Sequence, residues 1–237
     1  MNGRLRTVDF ETTGTAPPEE VIEVGWCDVD YADDGYLVDL PTARMHGSTR
    51  ITAETRCIHH ISPAEVDGLP PFNRDAWIEE AKADGVAVLA AHHADFETKW
   101  MGDALPWICT YKAALRLWPD LTSHSNQYLR YWIEEQGLTT LDRDLARPAH
   151  RAGPDAYATA HVLRQLLAHA SVADLIAWTK DPAVMPRMPI GKQRGAKWSE
   201  VDAGFLDWMT RQATMEHDLK WNAQREIDRR RDQLRPR

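Results

Sequence analysis

Near the N-terminus, Val8-Asp9-Phe10-Glu11-Thr12-Thr13-Gly14 reads as a strand that runs into a turn. Side chains two apart on a strand share a face, so Asp9 and Glu11 project together from one strand end. Two carboxylates held that close repel each other, an arrangement that a cation between them relieves. Oxygen-only ligation suits Mg²⁺ or Mn²⁺ rather than zinc. The chemistry to look for is that of a hard-metal site, completed by carboxylates from elsewhere in the chain.

Two later segments carry suitable groups. Ala91-His92-His93-Ala94-Asp95-Phe96-Glu97 follows a short buried strand and opens a helix. His150-Arg151-Ala152-Gly153-Pro154-Asp155-Ala156 crosses a loop-to-helix junction, with Pro154 placed to start the helix and Asp155 in its first turn. That spacing lets the Asp155 carboxylate face inward while His150 stays on the loop. Alone, each segment is weak: a carboxylate in a first helical turn commonly answers the helix dipole. The information lies in the order: D-x-E, then H-x-x-x-F-E, then H-x-x-x-x-D. The doublets His59-His60 and His92-His93 have no second histidine or cysteine at zinc spacing. His161 and His169 read as helix-surface or core residues, and tryptophans such as Trp100, Trp132 and Trp208 as core anchors.

The elements that must position these groups follow from periodicity and turn signals. Residues 4–10, 21–29 and 36–45 read as strands of an antiparallel meander, separated by Gly14, Pro17-Pro18 and Asp33-Asp34-Gly35. Ser62-Pro63 marks a helix start, and 73–83 is helical. Val86 to Ala91 is a buried strand, and Trp107 to Thr110 a short one. Helices are expected at 95–101, 111–117, 125–136 and 155–179. Strands first, then alternation with helices, give a mixed α/β sandwich. Asp181-Pro182, Pro186 and Pro189 mark a linker. A Gly/Lys-rich turn over 189–198 follows, then helices at about 203–213 and 215–233.

Composition narrows the partners. At 237 residues the chain can hold one good-sized core plus a smaller module. Its net charge is −8, yet residues 188–237 carry 11 Lys+Arg against 8 Asp+Glu, and the remainder 17 against 28. Two bound divalent ions would return four positive charges, so a nucleic-acid partner is compatible with the acidic balance, with poor binding expected without metal. No apolar run approaches a membrane span, and the acidic strand begins too soon for a signal peptide. Cys27, Cys57 and Cys109 read as small buried hydrophobes in a reducing cytoplasm.

The three acidic motifs together resemble those of DnaQ-like, DEDDh-type 3′–5′ exonucleases of the ribonuclease H-like fold. Asp9 to Gly14 resembles the first motif, Ala91 to Glu97 the second, and His150 to Asp155 the third. Further stretches resemble a DNA-degrading subfamily with a C-terminal module: Ile22-Glu23-Val24-Gly25, His59-His60-Ile61-Ser62, Trp107 to Thr110, Arg116-Leu117-Trp118-Pro119, Ser125-Asn126, and Pro189 to Trp208. The resemblance implies a five-stranded mixed sheet flanked by helices, an exonuclease domain over 1–180, a linker over 181–188 and a small module over 189–237. It implies that Asp9, Glu11, Glu97 and Asp155 hold two Mg²⁺ or Mn²⁺, and that His150 is the general base. Thr12, Thr13 and Gly14 would seat the terminal nucleotide. Phe96 would stack on its base or pack in the core, and His92 would touch a phosphate or support the helix start. The implied substrate is a DNA 3′ end, single-stranded or frayed from a duplex, with RNA an alternative, and the implied product a nucleoside 5′-monophosphate. A catalytically weakened nucleic-acid-binding protein is the remaining alternative.

One position departs from the pattern. The family's second motif usually reads H-N-A-x-F-D, whereas His93 and Glu97 stand here at the asparagine and the aspartate. Glutamate adds a methylene, about 1.5 Å of reach. Mg²⁺ tolerates distorted octahedra badly, so this favours a weaker second ion or a preference for Mn²⁺. Asp95, two positions earlier and about 200° around a helix, is no substitute.

Overall fold

The computed structural model of the protein describes residues 3–33 and 35–234. Its frame is one mixed sheet. Strand β1 (Arg4–Thr12) lies at the centre, antiparallel to β2 (Val21–Ala32) and parallel to β5 (Val86–Ala91), which pairs in parallel with β6 (Trp107–Cys109). The outer edge of β2 is filled by two short strands in succession, β3 (Gly35–Val38) and β4 (Thr42–Met45). The expected single strand over 36–45 is thus two. Pro41 lies in the interruption, and proline can give no ladder hydrogen bond. The order β3-β2-β1-β5-β6 has five positions, as expected.

Helices cover both faces. Those preceding β5 are α1 (Ala53–His59), α2 (Pro63–Val66) and α3 (Arg74–Ala83). Then come α4 (Thr98–Met101), α5 (Thr110–Leu117), α6 (Asn126–Glu135), α7 (Ala152–Leu167) and α8 (Val172–Lys180). The expected helix over 155–179 is two. It stops at Ala168, and Ser171 starts α8 with a capping box to Asp174. The helix expected at 95–101 begins only at Thr98, because His93 takes a left-handed φ of 67° and residues 92–97 run as turns.

The alternation of β1 separates two cores. Val8 and Phe10 pack under α3 with Trp77, Ile78 and Ala81. Leu5 faces the other core, with Val88, Ala90, Leu163 and Leu166. Thr7 is on that side too, its hydroxyl 2.8 Å from the Ala156 carbonyl oxygen of α7. Asp9 and Glu11 therefore emerge on the α7 side.

Residues after 183 form a third cluster, with Met188, Trp198, Val201, Leu206, Met209, Leu219 and Ala223 at its centre. It is built on α9 (Ala203–Arg211) and α10 (His217–Leu234). Asn222 of α10 ties it to the incoming chain, accepting from the Met185 N–H and donating to the Ala183 carbonyl. Two side chains differ from expectation. Cys57 is exposed on α1, whereas Cys27 and Cys109 are buried. Trp208 is exposed, stacked on Phe205 outside the small core.

Candidate metal and nuclease site

Asp9, Glu11 and Asp155 each place a carboxylate oxygen within 4.8 Å of the other two. The register explains the first two: Asp9 pairs with Gly25 and Glu11 with Glu23, at the end of β1 where β5 has already stopped pairing. Helix α7 delivers the third, and Gly25 is what allows it so close. A Cβ on Gly25 would lie 2.0 Å from the Ala152 carbonyl carbon, so any side chain there would push the helix start off the sheet. Glu23 then fixes that helix end. It accepts from the Ala152 N–H at 2.9 Å and from Nη2 and Nε of Arg151, at 2.7 and 3.0 Å.

Asp155 is held from both sides. Gln127 Nε2 donates to Oδ1 at 2.6 Å, and the His150 N–H donates to Oδ2 at 2.6 Å. The neighbouring Asn126 donates to the Asp155 carbonyl. His150 has a left-handed φ of 61°, and its ring is exposed at the rim. The loop thus delivers the backbone inward and the imidazole outward.

Glu97 is buried beside this group but outside the tight cluster. It is 3 % exposed, and its Oε2 has no hydrogen-bond partner. Asp95 is exposed and paired with Lys112 at 3.1 Å, so it leaves the site to Glu97. His92 is braced: its ring nitrogens meet the Thr110 hydroxyl at 3.0 Å and the His124 carbonyl at 2.8 Å. Neither nitrogen is left for a phosphate. Phe96 is half-buried against Trp100, with ring centroids 4.8 Å apart. Thr12 and Thr13 are buried in a tight turn, their hydroxyls donating to the Gly14 carbonyl and to Glu19. At Gly14 the close approach is to the Glu19 side chain, 2.6 Å from where a Cβ would stand.

The electrostatics are those of a site built for positive charge. Burial, then the charges of Asp155, Glu11 and Glu97, push Asp9 well above the usual carboxylate range. Burial and the charges of Asp155 and Glu23 raise Glu11 to about 8. Burial raises Glu97 to about 8 as well. Asp155 is raised by burial, against the pull of its His150 and Gln127 hydrogen bonds. At 4.8 Å, two carboxylates repel by about 3 kcal/mol at an effective dielectric of 20. Convergent oxygen ligands, mutual repulsion and an orphaned buried oxygen on Glu97 fit a hard divalent cation. Glu23, Gly25 and Gln127 are the supporting residues that motif spacing alone does not reveal. Ser125, the N-cap of α6, was the sequence signal nearest to Gln127.

No protein-family model matches the chain. Exodeoxyribonuclease 10 of Escherichia coli strain K12 is 30% identical over 217 residues, covering 86% of this chain and 90% of the relative. The structure of exonuclease X in complex with 5′-overhanging duplex DNA superposes with a TM-score of 0.56 at 28% identity, covering 74% of this chain and 99% of that one. E. coli exonuclease I in complex with a dA16 oligonucleotide shares the fold, with a TM-score of 0.52 at 14% identity over 74% of this chain and 42% of that one. The chain belongs to the exodeoxyribonuclease 10 family, within the DnaQ-like DEDD exonucleases.

Proposed function

We propose that this protein is a metal-dependent 3′–5′ exodeoxyribonuclease that releases nucleoside 5′-monophosphates from DNA ends. The observation that carries this reading is the convergence of Asp9, Glu11 and Asp155 within 4.8 Å, with the His150 backbone fastened to Asp155. Asp9, Glu11, Glu97 and Asp155 would hold two Mg²⁺ or Mn²⁺. When bound, such ions activate a water and stabilise charge on the attacked phosphate and the departing 3′ oxygen. The exposed His150 imidazole takes the proton from the attacking water, within reach of solvent for its return. Gln127 and Glu23 keep Asp155 and the start of α7 in place during turnover. Residues 1–180 form the catalytic unit and 189–237 an accessory module.

The activities of similar proteins support the choice of DNA: the relative is an exodeoxyribonuclease, and two similar structures hold DNA. Among the described residues, no helix is long and apolar enough to cross a membrane. The test is release of label from 3′- and 5′-labelled DNA and RNA, single- and double-stranded, with Mg²⁺, Mn²⁺ or EDTA. Mononucleotides from DNA 3′ ends, lost in EDTA and in Asp9→Ala, support the proposal. Hydrolysis of RNA alone, or binding without turnover in either metal, would overturn it.

A further inference from the structure

The C-terminal module carries a group of cations that the rest of the chain leaves unneutralised. Several arginines elsewhere are matched, Arg6 with Asp28, Arg44 with Glu80, Arg116 with Asp181 and Arg151 with Glu23, whereas Arg56 and Arg164 stand singly, far apart in sequence. Arg187, Lys192, Arg194 and Lys197 are exposed and make no ion pair among the described residues. Their display is built. Arg187 and Lys197 form an antiparallel bridge. Inside it the Met188 N–H donates to the Ala196 carbonyl at 2.9 Å, and the Gly195 N–H to the Met188 carbonyl at 2.8 Å. Gly191 and Gly195 supply left-handed φ values of 68° and 88°, which close the turn. In a protein of net charge −8, a closed turn that gathers four exposed cations without ion pairs points to an anionic partner.

A groove of about 420 Å³ runs between this turn and the catalytic unit. Arg187 and Arg194 line its module side, and His93, Tyr111 and Ser125 its catalytic side. That catalytic wall joins both elements that deliver carboxylates. Ser125 caps α6, whose next two residues hold Asp155, and His93 stands in the turn that ends in Glu97. The exposed His93 ring is stacked on Tyr111 with centroids 3.7 Å apart and planes 26° apart. An exposed aromatic ring across a groove from arginines without ion pairs is the chemistry that holds single-stranded nucleic acid: stacking for bases, charge for phosphates.

We propose that this groove is a track for the substrate strand on the 5′ side of its scissile end, with Arg187 and Arg194 contacting phosphates and the His93–Tyr111 pair receiving a base. The inference rests on the exonuclease reading above and assigns the accessory module the task of holding strand that has yet to reach the active site. It makes His93, which stands where the family usually has asparagine, a binding residue of this chain.

The test uses the full-length protein and the variant Arg187→Glu/Arg194→Glu; among the described residues the Arg194 side chain makes no hydrogen bond or ion pair, and that of Arg187 donates only to the Gly195 carbonyl. Binding of fluorescein-labelled oligo-dT of about twenty nucleotides is read by anisotropy between about 50 and 200 mM salt, in an Asp9→Ala background that prevents degradation. Kd is expected to rise roughly tenfold or more, and the slope of log K against log salt to fall by about 1.4, for two lost single-strand phosphate contacts. His93→Ala should weaken binding roughly fivefold or more and leave the salt slope in place. With Asp9 restored, the KM for the long strand relative to that for a trinucleotide should rise at least about tenfold in the charge variant. An unaltered Kd, salt slope and KM ratio, in a variant that melts like its parent, overturns the track. If the parent releases nothing from either substrate, the exonuclease reading fails, and the binding data judge the track separately.

Discussion

Asp155 and Glu97 reach the same strand-borne carboxylates from different elements, and their surroundings differ sharply. Asp155, on α7, has both oxygens engaged, by Gln127 and by the His150 N–H. Glu97, at the end of the turn after β5, is more deeply buried and has an oxygen with no partner. Asp155 is thus held in its orientation before any ligand arrives, whereas Glu97 is a buried carboxyl that burial keeps protonated up to about pH 8 and whose ionised form must be compensated from outside the chain. A buried, unsatisfied carboxylate is costly, and a bound cation is what would remove that cost. The pair teaches that one ligand of the proposed site is set by the protein and the other by what it binds.

The largest effect expected is on activity. Asp155→Ala removes both a proposed ligand and the anchor of the His150 loop, so mononucleotide release from labelled DNA should fall by at least about 10³-fold, or roughly 4 kcal/mol in the barrier. Gln127→Ala leaves the ligand but frees its orientation. It should weaken divalent-ion affinity by about 10–100-fold in a Mn²⁺ titration, which would show that the difference between Asp155 and Glu97 lies in their hydrogen bonds. Glu97→Asp restores the shorter reach of the family pattern and should raise Mg²⁺-supported turnover by roughly tenfold relative to Mn²⁺. An unchanged metal preference would dissociate the extra methylene from the site's geometry.

Stability gives the finer tests. Glu11 and Glu97 sit near 8 in the fold against an unfolded value of 4.5. Between those values the unfolded chain binds fewer protons than the folded one, so metal-free stability should fall as pH rises from 4.5 toward 8. Melting curves in EDTA should show the loss, and Mn²⁺ should reverse most of it at the alkaline end. Last, above pH 8, where Glu97 is ionised, Glu97→Gln should stabilise the metal-free protein by about 1–2 kcal/mol, because a buried unpaired charge is removed. Asp155→Asn should destabilise it by a similar amount, because an amide nitrogen would face the His150 or Gln127 donor.

Much of this was legible in the chain. The D-x-E spacing on a strand fixes Asp9 and Glu11 on one face, and the first-turn position of Asp155 turns it inward. The segment after β5 was read as an earlier helix because sequence periodicity does not register a left-handed residue such as His93. Helix α1 went unseen. Its Thr52 cap is visible, but only seven polar-rich residues follow, too few for a period. The break between α7 and α8 carries a capping box, Ser171 with Asp174, that apolar content on both sides obscured. Gly25 was visible only as part of a resembling stretch. Its reason is a contact with Ala152, which only the assembled sheet and helix create. Lys192, Arg194 and Lys197 were readable as a basic turn, but their lack of partners is a property of the fold.

The most direct test of the central claim is an anomalous-scattering map from crystals of the protein soaked in Mn²⁺. The expected result is strong density enclosed by Asp9, Glu11 and Asp155, with the Glu97 carboxylate turned onto it through its now partnerless Oε2. A map without a peak there, or with Asp155 and Glu97 directed away from Asp9 and Glu11, would contradict the account.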